Sequence, residues 1–239
     1  MQRNLTLLSL LLIFVPCSAQ QDAATAGFDP GYLSQAAAGI KTLQSWYTQD
    51  TGLYRTTGWW NSANAITVLV NYSRISHDRQ YLPVLSNTLQ RAQITSKGFL
   101  NKYYDDEGWW ALAWIDAYDL TGDRRYLAMA SSIFADMAKG WDNTCNGGIW
   151  WSKDRKYKNA IANELFLSVA AHLAARVRNL HRRKRYAAWA KREWQWFACS
   201  GMINEQYLVN DGLDLATCKK NRKNTWSYNQ GLIVGALVE

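Results

Sequence analysis

The chain has 239 residues, enough for one domain, and a hydrophobic content of 48% excludes a disordered chain. Only 3 prolines among many Ala, Leu and Trp exclude a turn-rich β fold and favour helices. The formal charge of +8 raises nucleic-acid binding, but no nucleic-acid motif accompanies the basic runs Arg182-Arg183-Lys184-Arg185 and Lys219-Lys220 with Arg222-Lys223. They read as solvated helix ends and loops, with attraction to an anionic wall polymer or membrane surface a weaker alternative.

In chain order, the first element is a leader. Arg3 gives a positive start, residues 5–15 form an apolar run, and Cys17-Ser18-Ala19 ends it with small residues. This is the pattern of a signal peptide over 1–19, cleaved after Ala19, and the run is short for a bilayer span. The expected localisation is therefore secreted or cell surface, with one mature domain over 20–239. No other segment is long and apolar enough to span a membrane.

The helical periodicity then alternates between two kinds. Segments 64–74, 109–120 and 159–175 are apolar on nearly every face, which predicts burial on all sides. Between them lie one-faced helices, with Tyr126, Ala130, Ile133, Phe134 and Met137 on one stripe and Tyr186, Trp189, Ala190, Trp196 and Phe197 on another. Counting 31–47 as the first outer helix and an apolar one from about Thr225, roughly eight helices are predicted. Thr121-Gly122-Asp123 and Ser76-His77-Asp78 mark hairpin turns, each followed by Tyr-Leu. Inner helices covered by outer ones describe a double-layered, all-α helical barrel.

If the leader is removed, Cys145, Cys199 and Cys218 remain, and three pairings are open. Cys199 with Cys218 is favoured, because it closes a short loop between two predicted helices. Asn71-Tyr72-Ser73 is a glycosylation sequon, but it falls in a helix expected to be buried. His77, His172 and His181 show no metal-ligand spacing, so neither a metal nor a cofactor is expected.

Four stretches expected as loops before inner helices share aromatic pairs beside small polar residues: Trp59-Trp60-Asn61, Tyr103-Tyr104-Asp105-Asp106-Glu107-Gly108-Trp109-Trp110, Gly147-Gly148-Ile149-Trp150-Trp151 and Thr225-Trp226-Ser227-Tyr228-Asn229. They should gather at one end of the barrel. Flat rings with a polar edge suit sugar faces, so a carbohydrate cleft is favoured over simple core filling. Trp60, Asn64, Trp110, Trp150 and Tyr228 are candidate sugar contacts by position. Asp211 is another, against a turn-forming role of equal weight. Asn163 and Glu164 need partners inside and are expected in a structural hydrogen-bond network.

The run Asp105-Asp106-Glu107 is the candidate catalytic centre. It has two readings of equal weight from the residues alone: charges at a helix N-terminus, or a glycosidase pair. Adjacent diverging carboxylates stand roughly 5–6 Å apart, near the separation used by retaining glycosidases.

The stretches YYDDEGWWALAWIDAYDLTGD, WDNTCNGGIWW and KNAIANELFL, continuing through SGMIN, NDGLD and TWSYNQG, closely resemble glycoside hydrolase family 76, the endo-α-1,6-mannanases of fungi and bacteria with related fungal cell-wall proteins. The resemblance implies an (α/α)6 barrel that acts on α-1,6-linked mannose with retention. It further implies Asp105 as nucleophile, Asp106 as general acid/base, and α-1,6-mannan or a mannosylated cell-wall glycan as partner. Six hairpins are implied and about four are present, so the domain reads as C-terminally incomplete; surface or lipid anchoring would need a further C-terminal signal. Mannan transglycosylation in wall assembly and non-catalytic mannan binding are the alternative functions.

Overall fold

The structure is a computed structural model that describes residues 30–239. The leader over 1–19, its cleavage point and the domain's start at residue 20 lie outside the described residues.

Among the described residues four helical hairpins follow one another. Helices α1 (Pro30–Gln44), α3 (Leu82–Thr95), α5 (Arg124–Met137) and α7 (Leu180–Cys199) are the outer members. Helices α2 (Trp59–Ser76), α4 (Tyr104–Thr121), α6 (Ala160–Arg176) and α8 (Ser227–Leu237) are the inner ones, α4 standing between α2 and α6, and α8 packing on α6. Two small antiparallel hairpins fill the connections: β1 (Tyr47–Thr48) with β2 (Leu53–Tyr54), and β3 (Leu213–Asp214) with β4 (Lys219–Lys220). Among the described residues no helix is long and apolar enough to cross a membrane.

The expected alternation is present, with one refinement. Helix α6 is buried continuously from Ala160 to Ala170, and α4 buries Trp110, Ala111, Ala113, Trp114, Ile115 and Ala117. The outermost inner helices differ: Val68 and Ile75 of α2, and Val234 and Leu237 of α8, are exposed. The reason is positional, since α4 and α6 have inner neighbours on both sides while α2 and α8 have one each. Asn71 of the sequon is likewise exposed, although Ser73 is buried.

The hairpin turns show why their sequences matter. Gly122 is left-handed at φ 73°, its N–H donates to the Tyr118 carbonyl at 2.7 Å, and Asp123 then accepts from the Arg125 N–H at 2.9 Å. His77 ends α2 in the same left-handed region. Asp78, however, accepts from the Gln80 N–H within the turn, and α3 begins later at Leu82, where Pro83 sits in the first turn. Proline fits there because it has no N–H to leave unpaired.

Helices α4 and α2 begin earlier than their apolar patterns suggest. Asp105, Asp106 and Glu107 occupy the first turn of α4, and Trp59, Trp60 and Asn61 the first turn of α2, rather than preceding loops. Helix α4 also approaches α6 closely. A Cβ on Gly108 would stand 2.6 Å from the Leu165 Cβ, so glycine is what lets the acidic turn sit against α6.

The disulfide corrects the favoured pairing. Cys218 joins Cys145, while Cys199 remains a free, exposed thiol. The β3–β4 hairpin is stitched to the start of α6 by Leu213 N–H to the Lys158 carbonyl at 3.0 Å and Ala160 N–H to the Asp211 carbonyl at 2.8 Å. That stitching carries Cys218 to the loop holding Cys145, which its sequence neighbourhood did not reveal. The bridge spans 73 residues, so Cys218→Ser should lower unfolding stability by about 2–4 kcal/mol, read from the denaturant midpoint. An unchanged midpoint would mean that the bridge adds nothing.

Candidate active site

The first turns of the four inner helices converge at one end and enclose a cleft of about 250 Å³. It is lined by Trp60 and Asn64 from α2, Asp105 and Trp109 from α4, Ile161 from α6, and Tyr228 from α8. Four of the sequence candidates therefore meet there. Trp109 was not among the candidates, although it lies four residues after Asp105 on the same helical stripe, which is the signal that identifies it. Its ring stacks on Trp60, with centroids 6.2 Å apart. The exposed Tyr228 ring stacks on Trp226 at 6.0 Å, with the planes 8° apart.

Asp105 is held by the loop before α6. Its Oδ2 accepts from the Trp151 indole N–H at 2.9 Å. The Tyr104 N–H in turn donates to the Trp151 carbonyl at 2.9 Å, fastening that loop to the start of α4. Oδ1 of Asp105 is buried without a hydrogen-bond partner. Burial first, and the neighbouring Asp106 carboxylate second, push the Asp105 carboxyl up to about 7. Asp106, the other predicted catalytic residue, is not among the residues that line the cleft; it accepts from the Asn101 amide at 2.6 Å, burial raises its carboxyl too, and the amide holds it down. Glu107 turns into the core, where burial pushes it up to about 8 against the opposing pull of Lys153, whose ammonium lies 2.8 Å away. Three consecutive acids thus occupy three environments, because each step along a helix rotates the side chain by about 100°.

Two sugar-contact candidates do not face the cleft, Trp110 because of the same rotation and Trp150 because of its loop contacts. Trp110 is fully buried with Trp59, Phe99 and Trp114 at centroid distances of 5.0, 4.7 and 5.7 Å, and belongs to the core. Trp150 is also buried; its indole donates to Asp142 at 2.7 Å, and the Lys158 ammonium lies 4.9 Å over its ring. The next residue, Trp151, reaches Asp105. Asp211 does not line the cleft. Its carboxylate accepts from the Tyr157 hydroxyl and from the Trp226 indole at 2.9 Å, which braces the Trp226–Tyr228 stack. Asn163 is structural as expected, exchanging hydrogen bonds with Ile149 at 2.7 and 3.0 Å. Glu164 departs from that expectation: it is fully buried and neither oxygen has a hydrogen-bond partner.

The basic run Arg182 to Arg185 occupies the exposed first turns of α7, in keeping with a solvated helix end.

A family model described as Glycosyl hydrolase family 76 matches residues 32–239. A mannan endo-1,6-alpha-mannosidase of Candida albicans is 29% identical over 202 residues, covering 74% of this chain and 43% of the relative. A putative mannan endo-1,6-alpha-mannosidase of Schizosaccharomyces pombe is 26% identical, covering 78% and 46%. The chain thus spans less than half the length of these curated relatives. Among solved structures, an inactive double-aspartate variant of the alpha-1,6-mannanase of Salegentibacter, in complex with alpha-1,6-mannotetrose, superposes with a TM-score of 0.77 at 24% identity, covering 87% of this chain and 63% of that one. Dfg5 from Chaetomium thermophilum, in complex with glucosamine, gives 0.76 at 23%, covering 88% and 58%. These likenesses show the fold, the α/α barrel.

Proposed function

The chain belongs to glycosyl hydrolase family 76, and we propose that it is a retaining endo-α-1,6-mannosidase that cleaves α-1,6-linked mannan with Asp105 and Asp106. The observation that carries this reading is the Asp105 carboxyl, raised to about 7, in a cleft walled by Trp60, Trp109 and Tyr228. Apolar ring faces suit the C–H faces of mannose, and Asn64 offers an amide to its hydroxyls.

In this reading one carboxylate attacks the anomeric carbon while the other protonates the departing glycosidic oxygen. The second then takes a proton from water, which releases the covalent sugar with net retention. The family resemblance gives attack to Asp105 and proton transfer to Asp106. Linear α-1,6-mannan oligosaccharide should yield shorter oligomers whose new ends keep the α configuration, followed by NMR during turnover. Inverted products would sink the double-displacement scheme, and longer oligomers would replace hydrolysis by transfer.

The raised carboxyl makes a second expectation. A nucleophile must be ionised, so kcat/KM should fall as pH drops through about 7, the value Asp105 holds in the free protein. Loss of kcat/KM on raising pH through 7 would instead make Asp105 the proton donor and exchange the two roles.

Secretion belongs to the same proposal. The pattern over 1–19 and a disulfide, which needs an oxidising compartment, both support it. N-terminal sequencing of the exported chain should begin at Gln20; retention inside the cell would exclude it.

A further inference from the structure

Glu164 is the buried acid that the proposed mechanism leaves unused. Glu107 has Lys153, and Glu193, also fully buried, lies within the fields of Lys158 and Arg192. Glu164 has no such neighbour; burial alone drives its carboxyl up to about 9, so it stays neutral at ordinary pH. A neutral carboxyl is one O–H donor and a set of acceptor lone pairs, and here all of them are unmet.

Its place in the fold points toward the cleft. Ala160, Glu164 and Leu167 form one stripe of α6, and Asn229, Ile233 and Ala236 one stripe of α8. Apart from these two polar residues, both stripes belong to a single apolar cluster, so Glu164 and Asn229 interrupt an otherwise apolar seam. The Asn229 Oδ1 is buried and unpartnered as well. Glu164 also follows Ile161, which lines the cleft, by one helical turn. Helical side chains lean back over the preceding turn, which directs its carboxyl toward Ile161 and the cleft end. Tyr228, on the cleft wall, registers it: burial raises that phenol first, and the Asp211, Asp105 and Glu164 carboxyls raise it further.

We propose that Glu164 is a sugar-contacting specificity residue, whose carboxyl hydrogen-bonds a hydroxyl of the hexose unit seated between Ile161 and Tyr228. The proposal rests on the mannanase reading of the same cleft. Glu164 is fully buried and Tyr228 exposed in the free protein, so the contact needs a displacement at the α6–α8 seam when the sugar enters. The contact lies on the α6–α8 side of the cleft, so it selects and holds a sugar without serving the reacting bond.

The test is calorimetric binding of α-1,6-mannotetraose in an Asp105→Asn background, where turnover does not intervene. Glu164→Leu should weaken binding about tenfold, the worth of one hydrogen bond in a closed site, while raising Tm because an unpaired acid has gone. Glu164→Gln, which keeps the shape and a donor, should bind within about threefold of the parent on the same reasoning. Singly deoxygenated mannotrioses should include one that binds worse than its parent sugar to the Glu164 protein and no worse to Glu164→Leu. Unchanged affinity in Glu164→Leu, with Tm alone moving, overturns the proposal and leaves Glu164 structural. Glu164→Met replaces the leucine variant if the latter does not fold. If the Glu164 parent binds no α-1,6-linked mannoside, the mannanase reading falls and takes this inference with it, an outcome distinct from a Glu164-specific failure.

Discussion

Asp105→Asn and Asp106→Asn should each lower kcat/KM on α-1,6-mannan oligosaccharide by about 10³-fold or more, roughly 4 kcal/mol of transition-state stabilisation. The basis is that each removes a group without an understudy. Glu107, the next carboxyl along the helix, faces the core and is tied to Lys153. Neither substitution should unfold the chain. An asparagine at 105 can still accept from the Trp151 indole, and one at 106 can still face the Asn101 amide. Because burial already penalises both charges, the neutral side chains should hold or slightly raise Tm. The competing reading, in which the acids only favour the positive end of α4, makes the opposite forecast. It predicts a loss of about 0.3–1 kcal/mol of stability and intact turnover. Steady-state kinetics beside a melting curve therefore separates the two, and retained turnover in either variant would sink the catalytic assignment. The double variant should be little worse than the poorer single one, because the residues act as a unit.

How far this site could be read from sequence depended on the kind of information each residue needed. The barrel layers were legible because an apolar-all-round helix such as α6 can only be an inner one. The cleft was legible as a set of aromatic starts to inner helices, since parallel inner helices must bring those starts to one end. Which aromatic faces the cleft was harder. Trp109 and Trp110 are equal as composition, but 100° of helical rotation sends Trp110 into the cluster with Trp59 and Phe99. Starting the helix at Trp109 rather than Tyr104 hid this geometry, because the acidic first turn carries no apolar period. Trp150 was misplaced for a related reason: its role depends on Asp142 and Lys158, which lie eight residues apart from it on either side in sequence. The disulfide was beyond reach, because Cys218 is delivered to Cys145 by backbone bonds between β3 and the start of α6. No local pattern encodes such a pairing.

Lys158→Met should destabilise the fold by about 3–5 kcal/mol, the largest stability effect we expect from a single side chain outside the aromatic core. Lys158 is fully buried, and its ammonium donates to Asp142 Oδ1 at 2.8 Å and to the carbonyls of Thr144, Gly147 and Gly148 at 2.8, 2.6 and 2.9 Å. Burial lowers the Lys158 ammonium below its ordinary value, with Asp142 pulling the other way, so the fold tolerates this charge more than it rewards it. The cost of removal therefore comes from the acceptors left behind. Gly147 and Gly148 cannot turn to water, because the Trp196 ring covers both; a Cβ on Gly148 would stand 2.2 Å from it. Each carbonyl left unpaired costs about 1–3 kcal/mol. Asp142 adds less, being partly exposed. Burial pushes its carboxyl up, but Lys158, the Trp150 indole and the Thr144 N–H together hold it at about 2. Adding Asp142→Asn to Lys158→Met should consequently recover only a minor part of the loss, and full recovery would show the ion pair, not the carbonyl cradle, to be the stabilising element. Because this loop continues into Trp151, the indole that holds Asp105, the lysine variant should also lose turnover before it unfolds. Chemical denaturation of the two variants, with activity followed across the same transition, measures both effects.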